Sequence, residues 1–325
     1  MDVFPAEQDP IMDIGRNAES AIVFPGMGPT AFGDVAKFMV VNSHARKLLA
    51  EADAVLGYSL FDRYRETPGD YTEFAQVAFL VNCLALAEGA TGTLDAPPRL
   101  CVGPSFGGKA AAVHVGSLTF AEAVWMTSRW ARCLDEYFAV EQRDVVTQSF
   151  ARTPEPVLAE ALAELDARGE WYELSCYVDD DFYLVTLHED SAEALRKRLR
   201  SMGGLPLYAM RPPMHASVFG PLRDRVEEEV FGRLAFADPA VAVVADQDGS
   251  VLRTGAQIRD MLLAGFVRPV RWPRVVETLR DNGIGTLLVC GQDSMFTRVG
   301  CTTRNFEVAA VNPRTALRPR RRIAS

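Results

Sequence analysis

The chain alternates between short apolar runs and longer stretches with helical spacing. Ser20-Ala21-Ile22-Val23-Phe24 is the first apolar run, and it stops at Pro25-Gly26-Met27-Gly28-Pro29. A run of that length bounded by Gly and Pro predicts a buried strand feeding a loop at its C-terminal edge, where α/β proteins place their sites. Helical spacing covers Val35 to Leu56. Phe74 to Ala90 is almost wholly apolar but carries Gln76, Asn82 and Glu88, so it predicts a buried helix rather than a membrane span. Leu100 to Val102 reads as the end of another strand, Lys109 to Val115 as the start of a helix, and Thr119 to Phe138 as a longer one. Strand, loop, helices, strand and helix in that order predict an α/β architecture.

The pattern changes near Asp144. A strand from Val145, a helix over 154–167, strands over 172–178 and 182–187, a helix over 191–202 and a strand over 206–210 follow in turn. This β-α-β-β-α-β order predicts a self-contained ferredoxin-like unit over 145–210. Arg211-Pro212-Pro213-Met214-His215 leads back to the larger unit, predicted to comprise 20–144 and 211–311. There, strands over 241–245 and 286–290 and helices over 255–263 and 273–282 continue the α/β pattern. Residues 1–19 read as a flexible leader, and 312–325, with five arginines, as a flexible basic tail.

Composition narrows the function. A net charge of −9 argues against nucleic-acid binding by the whole chain. Cys83, Cys101, Cys133, Cys176, Cys290 and Cys301 are scattered without Cys-x-x-Cys or clustered histidines, which disfavours a metal site and a disulfide scaffold. The opening lacks the charged-then-apolar pattern of a secretory signal. A cytoplasmic protein without a membrane partner, monomeric and without metal or bound cofactor, is expected.

The candidate chemistry centres on Gly103-Pro104-Ser105-Phe106-Gly107, a Gly-x-Ser-x-Gly pattern between a predicted strand and a predicted helix. A serine on such a turn is held clear of the sheet, which makes Ser105 the candidate nucleophile. It needs a base, and sequence-distant partners are normal. His44, His114 and His188 read as ordinary surface or core histidines. His215, fixed behind two prolines where the small unit hands the chain back, is the candidate base.

Phe24-Pro25-Gly26-Met27-Gly28, Gln76, the serine pattern, the ferredoxin-like insert, Met214-His215-Ala216-Ser217 and Pro269-Val270-Arg271-Trp272 resemble, in this order, the malonyl-CoA:acyl-carrier-protein transacylase family. The resemblance spans about residues 20 to 300. It implies an α/β hydrolase-like large subdomain with an inserted ferredoxin-like small subdomain. It also implies a Ser105-linked acyl-enzyme, His215 as base, and an oxyanion hole made by the backbone amides of Met27 and Phe106. A backbone carbonyl near Gly265 would orient the histidine. The partners implied are acyl carrier proteins, whose phosphopantetheine thiol donates and accepts the acyl group.

Departures from the family pattern bear on the substrate. Malonyl-using members carry an arginine on the helix after the elbow, which binds the substrate carboxylate. Here Trp130 falls at that position, with Arg129 one step away, about 100° round the helix. A buried carboxylate left without its partner costs on the order of 3–5 kcal/mol. The expected acyl group is therefore non-carboxylated, aminoacyl or dipeptidyl, as in the vicenistatin-type discrete acyltransferases of polyketide macrolactam biosynthesis, which the chain resembles. Gln76, Pro104, Trp130, Tyr208, Met210 and Met214 are the candidate acyl-pocket residues, and Arg152, Arg298 and Arg304 the candidate carrier-docking residues. The Arg196-to-Arg200 helix face is the weaker docking candidate, since charge runs on helices are usually solvated faces. Three alternatives stay open: a malonyl transacylase using Arg129, a hydrolase releasing stalled acyl groups, and a silent carrier-docking module.

Overall fold

The computed structural model describes residues 19–317, except 93, 95 and 294. The predicted leader, apart from Glu19, and the tail beyond 317 lie outside the described residues.

The elements run β1 (Glu19–Val23), α1 (Phe32–Val41), α2 (Ser43–Leu56), α3 (Leu60–Glu66), α4 (Glu73–Thr91), β2 (Leu100–Val102), α5 (Gly107–His114) and α6 (Phe120–Val140). The insert follows as β3 (Val145–Ala151), α7 (Glu155–Ala167), β4 (Tyr172–Asp179), β5 (Phe182–His188), α8 (Glu189–Ser201) and β6 (Leu205–Met210). The chain then continues through α9 (Gly220–Glu229), β7 (Ala242–Val244), β8 (Val251–Leu252), α10 (Gly255–Ala264), β9 (Val270–Arg271), α11 (Trp272–Asp281), β10 (Ile284–Cys290), α12 (Gly300–Thr303), β11 (Glu307–Val311) and α13 (Pro313–Ala316).

Two sheets result. The larger has the order β11-β10-β1-β2-β7-β8 and is parallel except at its β7–β8 edge. Its central strands β1 and β2 are short apolar runs buried on both faces, as helix-covered parallel strands must be. The smaller sheet has the order β6-β3-β5-β4, antiparallel throughout, which is the ferredoxin-like arrangement. The molecule is thus an α/β protein with a hydrolase-like large subdomain and a ferredoxin-like small one. The small sheet gains a fifth strand, β9, parallel to β4 and drawn from outside 145–210. Trp272, which follows β9, is fully buried, and its Nε1 donates to Thr302 Oγ1 at 2.8 Å.

The helical stretch predicted over 35–56 is two helices. Asn42 adopts extended backbone, ends α1 and caps α2 by accepting from the Ala45 amide. Helix α4 has the length and hydropathy of a membrane span, but 72% of that window is buried inside the protein. Residues 312–316 are not a loose tail: Asn312 caps α13, and Arg314 pairs with Asp34 at 3.4 Å.

Candidate active site

The elbow is built by close backbone approach. Phe24 N–H donates to the Val102 carbonyl at 2.9 Å, so the β1 loop lies against the turn after β2. A Cβ at Gly107 would stand 1.9 Å from the Phe24 carbonyl oxygen, and one at Gly103 would stand 2.4 Å from the Gly107 backbone. Only glycine fits either position. Between them Ser105 adopts φ 53°, in the left-handed region, as a nucleophile elbow requires. Its N–H donates to Asp246 Oδ2 at 2.7 Å, and the Asp246 carbonyl in turn accepts from Arg271 N–H at 2.7 Å. Asp246, just after β7, therefore ties the elbow to the segment around β9.

His215 is placed from two sides. Ala216 N–H donates to the Phe266 carbonyl at 3.2 Å. Ser217 donates from its amide and hydroxyl to Glu173 of β4 at 2.7 and 2.6 Å, which fastens the histidine loop to the small subdomain. His215 itself has φ 64° and is 5% exposed. The Ser105 hydroxyl lies 2.8 Å from His215 Nε2. Burial pushes the imidazole down to about 4, partly offset by the backbone groups at Arg268 and Gly265. The ring is therefore neutral near pH 7 and its Nε2 can take the hydroxyl proton. The backbone groups of Arg268 and Gly265 that act on the ring lie near Nδ1 without meeting full hydrogen-bond geometry among the described residues.

Ser105 and His215 open into a cleft of about 700 Å³. Met27, Phe106, Gln76, Trp130, Met210 and Met214 line it. Pro104 and Tyr208 do not. The Pro104 carbonyl is turned into the elbow, accepting from Gly107 N–H at 3.0 Å, and the Tyr208 backbone is engaged with Ser149 across β3 and β6. Trp130 is 6% exposed and stacks on Phe266, ring centroids 4.5 Å apart and 18° between planes. Arg129 points elsewhere, 3.8 Å from Glu229, and does not line the cleft.

Two residues of the site escape a reading of the sequence alone. Asp246 is a charged residue directly after an apolar strand, a signal for a site at a strand's C-terminal edge. Lys109 sits in a helix whose neighbours are Gly and Ala, and a lysine among such small, buried positions is the available signal. It is 3% exposed and lines the cleft, its Nζ 4.4 Å from the Phe106 ring centre and 4.1 Å from that of Trp130.

Arg152 and Arg298 line a second cleft of about 540 Å³, together with Asp179 and Asp181. Arg304 lies 3.8 Å from Asp179 and 3.6 Å from Asp180, so carboxylates already balance its charge. On α8, Arg196 pairs with Glu193, and Arg198 with Glu160 and Glu164.

The small subdomain matches the family described as VinK acyltransferase small domain over residues 149–210. Across 91% of the chain and 97% of the relative, the sequence is 26% identical to a malonyl CoA-acyl carrier protein transacylase of Salmonella typhimurium. It is 24% identical to the polyketide biosynthesis protein ThaF of Burkholderia thailandensis, over 85% of this chain and 23% of that protein. Among solved structures, a malonyl-transacylase in complex with a type II PKS acyl-carrier protein superposes with a TM-score of 0.80 at 24% identity, covering 91% of this chain and 96% of that one. Two of these relatives are acyl-carrier-protein transacylases, and the class of protein they indicate is an acyltransferase. Across nearly its whole length the chain is similar to malonyl-transacylases.

Proposed function

We propose that the protein moves a non-carboxylated acyl group, aminoacyl or dipeptidyl, from one acyl carrier protein to another in polyketide biosynthesis. The observation that carries this reading is Trp130, a buried indole stacked on Phe266 where a malonyl pocket would need a guanidinium, with Arg129 held outside by Glu229. An indole cannot replace a bidentate donor.

In the proposed reaction, Ser105 Oγ attacks the thioester carbonyl and its proton passes to His215 Nε2. The backbone amides of Met27 and Phe106 hold the oxyanion, a contribution of roughly 3–4 kcal/mol per donor in comparable sites. Collapse breaks the carbon–sulfur bond, and the departing phosphopantetheine thiolate takes the proton from His215. The second carrier's thiol then gives its proton to His215 and attacks the ester, and Ser105 Oγ leaves with that proton. Arg152 and Arg298, at one cleft on the small-subdomain side, are proposed to meet the acidic carrier surface, with Arg304 a lesser contributor.

Malonyl transfer is the second reading. The names of the relatives favour it, and Lys109 is a cation in the cleft that could receive a carboxylate. Transfer between two purified carrier proteins, one loaded with a dipeptidyl and then with a malonyl group, separates the two. Faster dipeptidyl transfer supports the first reading, and faster malonyl transfer overturns it.

A further inference from the structure

The acyl cleft is apolar over most of its wall, yet among the polar groups that line it with Gln76, Asp246 and Gln247 are two with hydrogen-bonding capacity that the proposed chemistry does not use. Lys109 is one. Its ammonium has three donors, and among the described residues its hydrogen bonding amounts to one long contact, 3.5 Å to Gln76 Oε1. The faces of Phe106 and Trp130 hold it on the aromatic side. Gln76 is itself fixed, its Nε2 donating to the Tyr71 carbonyl at 2.9 Å. Tyr71 is the other group: it lines the same cleft, and its hydroxyl oxygen is buried without a partner among the described residues. A buried donor left unsatisfied costs about 1–3 kcal/mol, more if charged. Lys109 and Tyr71 therefore leave donor capacity unfilled in a cleft that also carries Met27, Met210, Met214 and Met261, with Asp246 already engaged by the Ser105 amide.

We propose that Lys109 sets acyl-group specificity by donating hydrogen bonds to an oxygen acceptor on the acyl chain, an amide carbonyl or a carboxylate, lying several bonds from the thioester. The proposal rests on the acyl-transfer reading given above. Lys109 stands in the first turn of α5, past the elbow that holds Ser105 and against the Phe106 and Trp130 rings, so the acceptor it meets is set apart from the reacting carbonyl. Burial pushes the ammonium down to about 7, which makes its charge sensitive to what the cleft contains. An oxygen acceptor favours the charged form, whereas a free amine at the same depth is repelled by it. Between an aminoacyl and a dipeptidyl group, the lysine favours the one with an amide carbonyl at that depth.

The test compares acyl transfer from carrier proteins loaded with dipeptidyl, malonyl and pentanoyl groups, using wild type, Lys109→Met and Gln76→Glu. In Gln76→Glu the new carboxylate captures the ammonium without opening a cavity, so it answers the question if Lys109→Met fails to fold. Both variants are expected to lose about tenfold or more in kcat/KM on the dipeptidyl group while pentanoyl transfer changes less than about threefold. Equal losses on dipeptidyl and pentanoyl groups would overturn the proposal. Selective loss on malonyl alone would uphold Lys109 as the donor and overturn the non-carboxylated reading of the substrate.

Discussion

The neutral state of His215 is the residue-level feature with the clearest consequence. Its folded value near 4 lies below the ordinary 6.5, so the folded protein binds fewer protons than the unfolded chain between those values. Its contribution to stability is full above pH 6.5 and is lost as pH falls toward 4. The acid limb of Ser105 acylation should accordingly lie near pH 4 in a stopped pH-rate series, and a limb near 6.5 would contradict the burial argument. Asp246 behaves oppositely: burial raises its carboxyl to about 7, against the Ser105 amide that favours the charge. Stability linked to it is full below pH 3.8 and is lost as pH rises through 7. Asp246→Asn keeps an oxygen for Ser105 N–H and removes the buried charge. Its Tm should exceed that of wild type by a few degrees at pH 8 (about 1–2 kcal/mol) and match it at pH 4. A lower Tm at pH 8 would mean that the charge itself holds the elbow. Ser105 and His215, which the fold brings to 2.8 Å, are legible through the ordered set of segments from Phe24 to Trp272 rather than through either local pattern alone. Asp246 is not, since its partner is a backbone amide more than a hundred residues away, which no local pattern announces.

At the scale of elements, the elbow and the helix after it decide most. A Cβ at Gly107 would clash with backbone, which cannot swing aside, so Gly107→Ala should cost at least about 3 kcal/mol and show as a sharply lower denaturation midpoint. Full retention of stability would mean that the β1 loop can retreat from the turn. On α6 the register places Trp130 inward and Arg129 outward, as the 100° step per residue requires. Installing arginine at 130 would set a guanidinium beside the Lys109 ammonium, so the informative variant is Trp130→Arg with Lys109→Met. It should gain malonyl transfer while losing dipeptidyl transfer, read by carrier mass spectrometry, and failure to use malonyl would show that selectivity lies elsewhere. Long periodic elements such as α4 and α6 are readable from spacing alone. The two-residue strands β8 and β9 are not, because so short a segment carries no period and owes its conformation to the strand it joins.

Over the whole molecule, the dyad depends on both subdomains. Ser105 stands on the large sheet, while the His215 loop is fastened to β4 by Glu173. Order along the chain makes this two-part architecture legible, but the pairing of β9 with β4 and the charge balance around the arginines become visible only when distant segments meet. Arg298 shares its cleft with Arg152, so Arg298→Glu should sharply reduce carrier-dependent transfer. Acylation by a small thioester should be unchanged, and an undiminished carrier rate would rule this surface out as the docking site. Everything proposed for the reaction turns on a Ser105 ester formed from a carrier-bound thioester. Intact-protein mass spectrometry after incubation with a dipeptidyl-loaded carrier tests it most directly. A mass gain equal to the acyl group is predicted in wild type and none in Ser105→Ala. An equal gain in both proteins, or a gain from malonyl-CoA alone, would contradict it.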